Sequence, residues 1–219
     1  NAICVANPEI QAPTSADLGI QRCHAPLRDT ILIRNNGNGP LVFYSAGVSG
    51  PESQHFTVIK PAINDTVKPG SNYPVIVEFN RPTEGRSNGI IRLTHNDVEA
   101  GRTDIAVTAE RTVAEFAIEG DSLTAFFTRL FVPQLRQFTV RSIGSQPLTV
   151  TGLRVVKAST VFSVRPLQPL PVTLTTNQTT TFEITFTPNA RGPFQGVIVV
   201  ETAPCGNVHA LALTGSGDT

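Results

Sequence analysis

The chain lacks methionine and tryptophan, has only two tyrosines, and carries no net charge. The missing Met, position 1 included, predicts a chain that begins after a cleavage or was cut from something longer, and a removed secretory signal fits that reading. Seventeen basic side chains balance seventeen acidic ones, so no net field draws the protein to nucleic acid or to an anionic membrane. No apolar run approaches the roughly 18–20 residues a bilayer span needs, so no membrane insertion is expected. With only Tyr44 and Tyr73 beside the phenylalanines, stacking on sugar rings is poorly supported. Cysteine is sparse and odd in number, at Cys4, Cys23 and Cys205, and no C-x-x-C pair offers a structural zinc site. Cys4 and Cys23 could bridge and staple the amino-terminal strand to the loop after it. The alternative is three reduced, half-buried thiols.

What is present is written twice. The stretch Ile31-Leu32-Ile33-Arg34-Asn35-Asn36-Gly37-Asn38-Gly39-Pro40-Leu41 reappears, displaced by 107, as Phe138-Thr139-Val140-Arg141-Ser142-Ile143-Gly144-Ser145-Gln146-Pro147-Leu148. The same displacement carries Val75, Val77 and Phe79 onto Phe182, Ile184 and Phe186, and Gly85 and Gly89 onto Gly192 and Gly196. A displacement of 106 brings Phe56-Thr57-Val58 onto Phe162-Ser163-Val164, as a one-residue loop difference would. Two domains follow, 1–112 and 113–219.

Within each copy the period is two. Thr181-Phe182-Glu183-Ile184-Thr185-Phe186 is apolar on one face and polar on the other, as a strand with one buried and one wet face requires. Turn clusters separate such runs: Asn35 to Pro40, Lys68-Pro69-Gly70-Ser71, Pro82 to Gly85 and Pro188 to Gly192. No stretch shows helical periodicity. The expected strands lie near 17–21, 30–35, 41–48, 55–59, 73–80, 89–94 and 103–108, then near 114–118, 136–141, 148–156, 162–164, 179–187, 196–201 and 209–214. The fold class is therefore all-β: two tandem immunoglobulin-like sandwiches of about seven strands each.

The order of motifs is an apolar strand, an N-x-G-x-x-P-L turn, F-x-V, a P-G turn, an alternating strand ending in Phe, a glycine-containing turn and a closing L-x-G-x-G. The first copy supplies Asn36-Gly37, Pro40-Leu41, Phe56-Thr57-Val58, Pro69-Gly70, Val75 to Phe79 and Gly85. The second supplies Gly144, Pro147-Leu148, Phe162-Ser163-Val164, Phe182 to Phe186, Pro188, Gly192 and Leu213-Thr214-Gly215-Ser216-Gly217. This order resembles the ASH domain shared by abnormal-spindle and Hydin proteins, and the bacterial choice-of-anchor D repeats, both related to the major sperm protein sandwich. Two departures stand out: Val107 to Glu110 lacks the closing glycine pair, and Thr175-Thr176-Asn177 stands where Pro-Gly is usual. The resemblance implies a non-enzymatic module and no catalytic residues.

The residues themselves agree with that implication. His24, His55, His95 and His209 never fall in an H-x-x-x-H or H-x-H relation, and neighbours Cys23 and His24 on a strand would face opposite ways. A metal site would have to be assembled by the fold, for instance from His95, Asn96 and Asp97, which read equally as a polar turn. No cofactor and no small-molecule substrate are expected. The expected function is a non-catalytic structural or protein-interaction module of a larger secreted, surface or periplasmic bacterial protein. Its partners would be another protein or neighbouring domains of the same chain. The alternatives are a cytoplasmic or ciliary scaffold, or an accessory domain of a secreted hydrolase. Candidate contact residues are loop positions Asn36, Gly37, Asn38, Glu84, Gly85, Asn189 and Arg191, with edge strands as a further route. Phe126, Phe127 and Phe131 lie in a segment more apolar than its counterpart in the first copy. That segment, Leu123 to Pro133, reads either as a strand and loop buried at the interdomain contact or beneath the sheet, or as an exposed patch that binds a partner.

Overall fold

The computed structural model describes residues 6–121, 123, 125–156 and 160–219. The chain forms two compact units, Asn1–Thr112 and Val113–Thr219. Among the described residues the secondary structure is strand, apart from one 3-10 turn at Ser53–His55. The first unit holds β1 (Ile10–Gln11), β2 (Ser15–Arg22), β3 (Leu27–Asn35), β4 (Leu41–Ser49), β5 (Phe56–Lys60), β6 (Thr66–Val67), β7 (Asn72–Phe79), β8 (Gly85–His95) and β9 (Arg102–Thr112). The second holds β10 (Phe116–Gly120), β11 (Phe126–Arg129), β12 (Gln134–Ser142), β13 (Leu148–Val156), β14 (Phe162–Pro166), β15 (Val172–Leu174), β16 (Thr179–Phe186), β17 (Gly192–Ala203) and β18 (Val208–Asp218).

Each unit packs a four-stranded sheet on a five-stranded one. The orders β1-β3-β7-β5 and β2-β9-β8-β4-β6 in the first unit are repeated as β10-β12-β16-β14 and β11-β18-β17-β13-β15 in the second. The fold class stands, with a correction: nine strands per unit, not seven. The extra strands are β1, β6, β11 and β15, each two to four residues long, too short to carry a period of two. Registers repeat as well. Leu27 opposes Phe79 and Gln134 opposes Phe186, displaced by 107. Phe56 opposes Phe79 and Phe162 opposes Phe186, displaced by 106 on the β14 side. In both units the chain leaves one sheet and joins the other, where β2 and β11 run parallel to the closing strands β9 and β18.

Alternation places the inward residues of both sheets in one core per unit. Ile33, Phe43, Phe56, Val77, Phe79, Leu93 and Ile105 fill the first, and Phe126, Phe138, Phe162, Phe182, Phe186 and Ile198 the second. Phe162 and Phe186 lie 4.8 Å apart and Phe138 stacks on Phe182 at 5.2 Å, contacts worth roughly 0.5–1.5 kcal/mol beyond area burial. The absent Pro-Gly of the second copy has a physical explanation. Gly70 has φ +71°, and its counterpart Asn177 has φ +70°, a left-handed conformation that Asn tolerates better than most residues. Each donates its N–H to the strand residue it caps, Gly70 to Asn35 O and Asn177 to Ser142 O, both at 2.8 Å.

Candidate functional site

The Asn35–Pro40 turn is occupied by its own chain. Asn36 N–H donates to Glu9 O, Asn38 N–H to Asn7 O, and Asn7 N–H to Asn38 Oδ1. A Cβ on Gly37 would sit 2.2 Å from Asn7 O, so this glycine is needed for close approach of two backbones. The second unit repeats the device, since a Cβ on Gly144 would sit 2.1 Å from Val113 O. Asn35 is the hub. Fully buried, it donates through Nδ2 to Gly39 O (2.8 Å) and Val67 O (3.0 Å), and accepts at Oδ1 from Glu9 N–H (3.2 Å) and Gly37 N–H (3.0 Å). That exhausts the side chain's inventory. Asn36, Gly37 and Asn38 thus line an open polar concavity of about 520 Å³ with Asn7, Glu9, Asp97 and Glu99, but their polar groups are largely engaged in holding the entering chain.

The His95–Asp97 segment is a polar turn of the same kind. Asn96 Oδ1 accepts Val42 N–H at 2.8 Å while its Nδ2 donates to Pro40 O. Asp97 accepts Ile10 N–H at 3.0 Å and Glu99 N–H at 3.0 Å, pinning β1. Burial alone pushes the Asp97 carboxyl up, but the N–H groups of Ile10, Glu99 and Ala100 outweigh it and hold the carboxyl below its usual range. His95 is buried, which lowers its affinity for a proton against the opposing pull of Asp97. Its Nε2 meets Thr103 Oγ1 at 2.9 Å and its Nδ1 accepts Asp97 N–H at 3.3 Å. Among the described residues no group of three or more His, Cys, Asp and Glu is placed to hold a metal.

Glu84 and Gly85 belong to a turn that wraps the Arg81 guanidinium. Arg81 Nε donates to Thr83 O, and Nη1 donates to Glu52 Oε1, Arg86 O and Ser87 Oγ. Arg81 is absent from any sequence motif. Ser87 stands in Gly85-Arg86-Ser87-Asn88-Gly89, a G-x-S-x-G sequence, but it lies within strand β8 and not on a strand-to-helix turn. His55 Nδ1 lies 3.0 Å from Ser87 Oγ, the one histidine–serine contact in the described part, yet Ser87 is fully buried and its oxygen already accepts from Arg81. A substrate carbonyl has no approach to it.

In the second unit the Phe segment divides. Phe126 leaves the patch: it points inward, is buried beneath the Arg136 guanidinium (4.6 Å to the ring centroid) and touches Phe186. Phe127 and Phe131 are exposed, together with Val132 of the same apolar segment and with Leu135, which lies beyond it and which sequence reasoning passed over. Phe131 N–H donates to Pro188 O at 2.8 Å, which brings the Pro188–Gly192 turn, with exposed Asn189 and Arg191, beside the apolar segment. Cys23 and Cys205 are each disulfide-bonded; Cys4, the expected partner of Cys23, lies outside the described residues. No helix among the described residues is long and apolar enough to cross a membrane.

No protein-family model matches the chain, and no curated protein matches it. Solved structures do. The ASH / PapD-like domain of human CEP192 is similar at 18% identity over 48% of this chain and 85% of that one, with a TM-score of 0.33. A C. elegans MSP family member, WR4, is similar at 11% identity over 48% of this chain and 99% of that one, with a TM-score of 0.32. The Vibrio cholerae VesB protease is similar at 18% identity and a TM-score of 0.39, over 48% of this chain and only 32% of the VesB chain. At these scores the likenesses transfer no activity.

Proposed function

We propose that the chain is a non-catalytic module of the ASH or choice-of-anchor D type, part of a larger secreted or cell-surface bacterial protein, that spaces neighbouring domains and binds protein. The observation that carries this reading is where the polar residues are spent. Asn35, Arg81, His95, Asn96 and Asp97 each tie turns or entering strands into the sandwich, which supports a structural use of these side chains. Disulfide bonding of Cys23 and Cys205 supports an oxidising compartment over the cytoplasmic alternative. The edge strand β10 is regular in its register with β12 and free of proline, a form suited to strand addition.

The test is to assay the purified chain against peptide, ester, glycoside and phosphoester substrates while photo-crosslinking it, through benzoylphenylalanine on β10 and on exposed loops, in a cell-envelope extract. Discrete crosslinked proteins without turnover are expected. Turnover abolished by Ser87→Ala or His55→Gln in a folded chain would overturn the reading.

A further inference from the structure

Two copies of one fold supply a control for each other's surfaces. By the common displacement, Phe127, Phe131, Val132 and Leu135 stand where the first copy has Ile20, His24, Ala25 and Arg28. All eight positions are exposed: Ile20 at 43%, then Phe127 at 63%, Phe131 at 71%, Val132 at 47% and Leu135 at 52%, with His24, Ala25 and Arg28 open as well. The first copy builds the same strands around His, Ala and Arg, so the architecture does not require three of these four apolar side chains. Four exposed apolar residues within nine positions form a cluster, whereas apolar side chains scattered singly over a surface are ordinary.

The segment is held in place. Leu130 N–H donates to Asp218 O, Phe131 N–H to Pro188 O, Val132 N–H to Arg129 O and Thr128 Oγ1 to Val132 O. Phe131 has φ +59°, a conformation a bulky side chain takes only when its surroundings enforce it. Its backbone is therefore held in one conformation, with the ring turned to solvent. Strand addition at β11 is blocked, because Gln134 Oε1 accepts Phe127 N–H at 2.8 Å and Arg136 Nη2 donates to Ala125 O at 3.1 Å. Recognition there must go through side chains.

Charge selects the occupant. Arg129 and Arg191 are exposed in and beside this segment and form no ion pair among the described residues, although exposed Asp218 stands opposite Arg129; Arg129 matches Arg22 of the first copy, whereas Arg191 replaces Glu84 and reverses the sign. We infer that this end of the second unit docks a protein segment in which acidic residues flank aromatic or aliphatic ones. Two arginines on a chain of zero net charge are too few for polybasic attraction to a lipid surface. The inference rests on the interaction-module reading. The two fail separately, since crosslinks from β10 or other loops would keep the module while this surface proved inert.

The experiment is selection of a phage-displayed random-peptide library on the full two-unit chain. Binding of the selected synthetic peptides is then measured by fluorescence anisotropy. Peptides that place Asp or Glu beside Phe, Trp or Leu are expected. Their affinity should fall about tenfold or more when the first copy's residues are installed (Phe127→Ile, Phe131→His, Val132→Ala and Leu135→Arg together) and again in Arg129→Glu/Arg191→Glu. Circular dichroism and the melting midpoint should stay near wild type. If the installed variant fails to fold, amide-exchange protection of residues 127–135 of the wild-type chain by the peptide decides instead. No enrichment of acidic–apolar peptides, or binding indifferent to these substitutions, overturns the proposal. So does self-association in sedimentation velocity that the same substitutions abolish, which assigns the surface to a second copy. Phe131-dependent sedimentation with vesicles of phosphatidylcholine and phosphatidylserine assigns it to membrane and overturns it too.

Discussion

Asn35 and Ser142 occupy the same place in the two units, both fully buried, yet they are opposites chemically. Asn35 makes four side-chain hydrogen bonds, whereas Ser142 Oγ is buried without a partner. Their backbones are held alike: Asn35 N–H donates to Ser71 O at 3.1 Å and Ser142 N–H to Gln178 O at 3.0 Å. Truncating Asn35 to Ala strands the carbonyls of Gly39 and Val67 and the N–H groups of Glu9 and Gly37. A net hydrogen bond contributes about 0.5–1.5 kcal/mol, and a buried group left unpaired costs about 1–3 kcal/mol. With partial relaxation and water entry, Asn35→Ala should destabilise the first unit by about 3–4 kcal/mol, a fall of roughly 10–15 °C in its melting midpoint. Ser142→Ala removes a hydroxyl that gives nothing back, and should lie within about 0.5 kcal/mol of wild type or raise stability by up to about 1 kcal/mol. Urea and thermal melts of the full chain measure both. Hydrogen exchange localises the loss, which should fall on the turn at residues 35–40 and on residues 6–11. Equal costs at the two positions, or a cost below about 1 kcal/mol at Asn35, would refute the accounting.

Three further outcomes are expected. Gly37→Ala and Gly144→Ala should each cost about 2 kcal/mol or more, because the added carbon meets Asn7 O at 2.2 Å and Val113 O at 2.1 Å; denaturant midpoints check this. Burial lowers the proton affinity of His95 in the folded state, so the unfolded chain binds the proton first as pH falls below about 6.5. Stability should therefore decline from about that pH downward and level off once the folded form also protonates. His95→Gln should flatten this limb in urea melts across the range, leaving the separate loss at lower pH, where Asp97 with its lowered pKa is protonated. Finally, neither Cys23 nor Cys205 should react with iodoacetamide in the denatured, unreduced chain, and both should after reduction, as read by peptide mass mapping.

The strand class and its duplication were legible because alternation is a local property. Each predicted strand overlaps an observed one, and even the one-residue offset at Phe56 and Phe162 reappears in the register against Phe79 and Phe186. The short strands β1, β6, β11 and β15 were not legible, since two to four residues cannot display a period and are strands only because a neighbour pairs with them. The same holds for the surface. The sequence marked Phe126, Phe127 and Phe131 as one unusual segment, but the partner of β11 had to be known before Phe126 could be assigned to the core and the other two to solvent.

The candidate loops divide in the same way. Asn36, Gly37 and Asn38 carry the composition of a free turn, and nothing local says that residues 7–9 lie across it. Asn35, Arg81 and Asp97 look like ordinary polar residues in the chain, yet each bonds a group remote in sequence: Asn35 the carbonyl of Val67, Arg81 the carboxylate of Glu52, and Asp97 the N–H of Ile10, 87 positions away. By itself, then, the sequence determined which side chains alternate, where the chain turns, and that the scheme occurs twice, because these follow from covalent spacing and side-chain chemistry. Only the tertiary structure decided which turns are covered, which polar groups are consumed and which phenylalanines meet water. Those outcomes depend on what a distant segment places opposite each residue, and no local pattern encodes that.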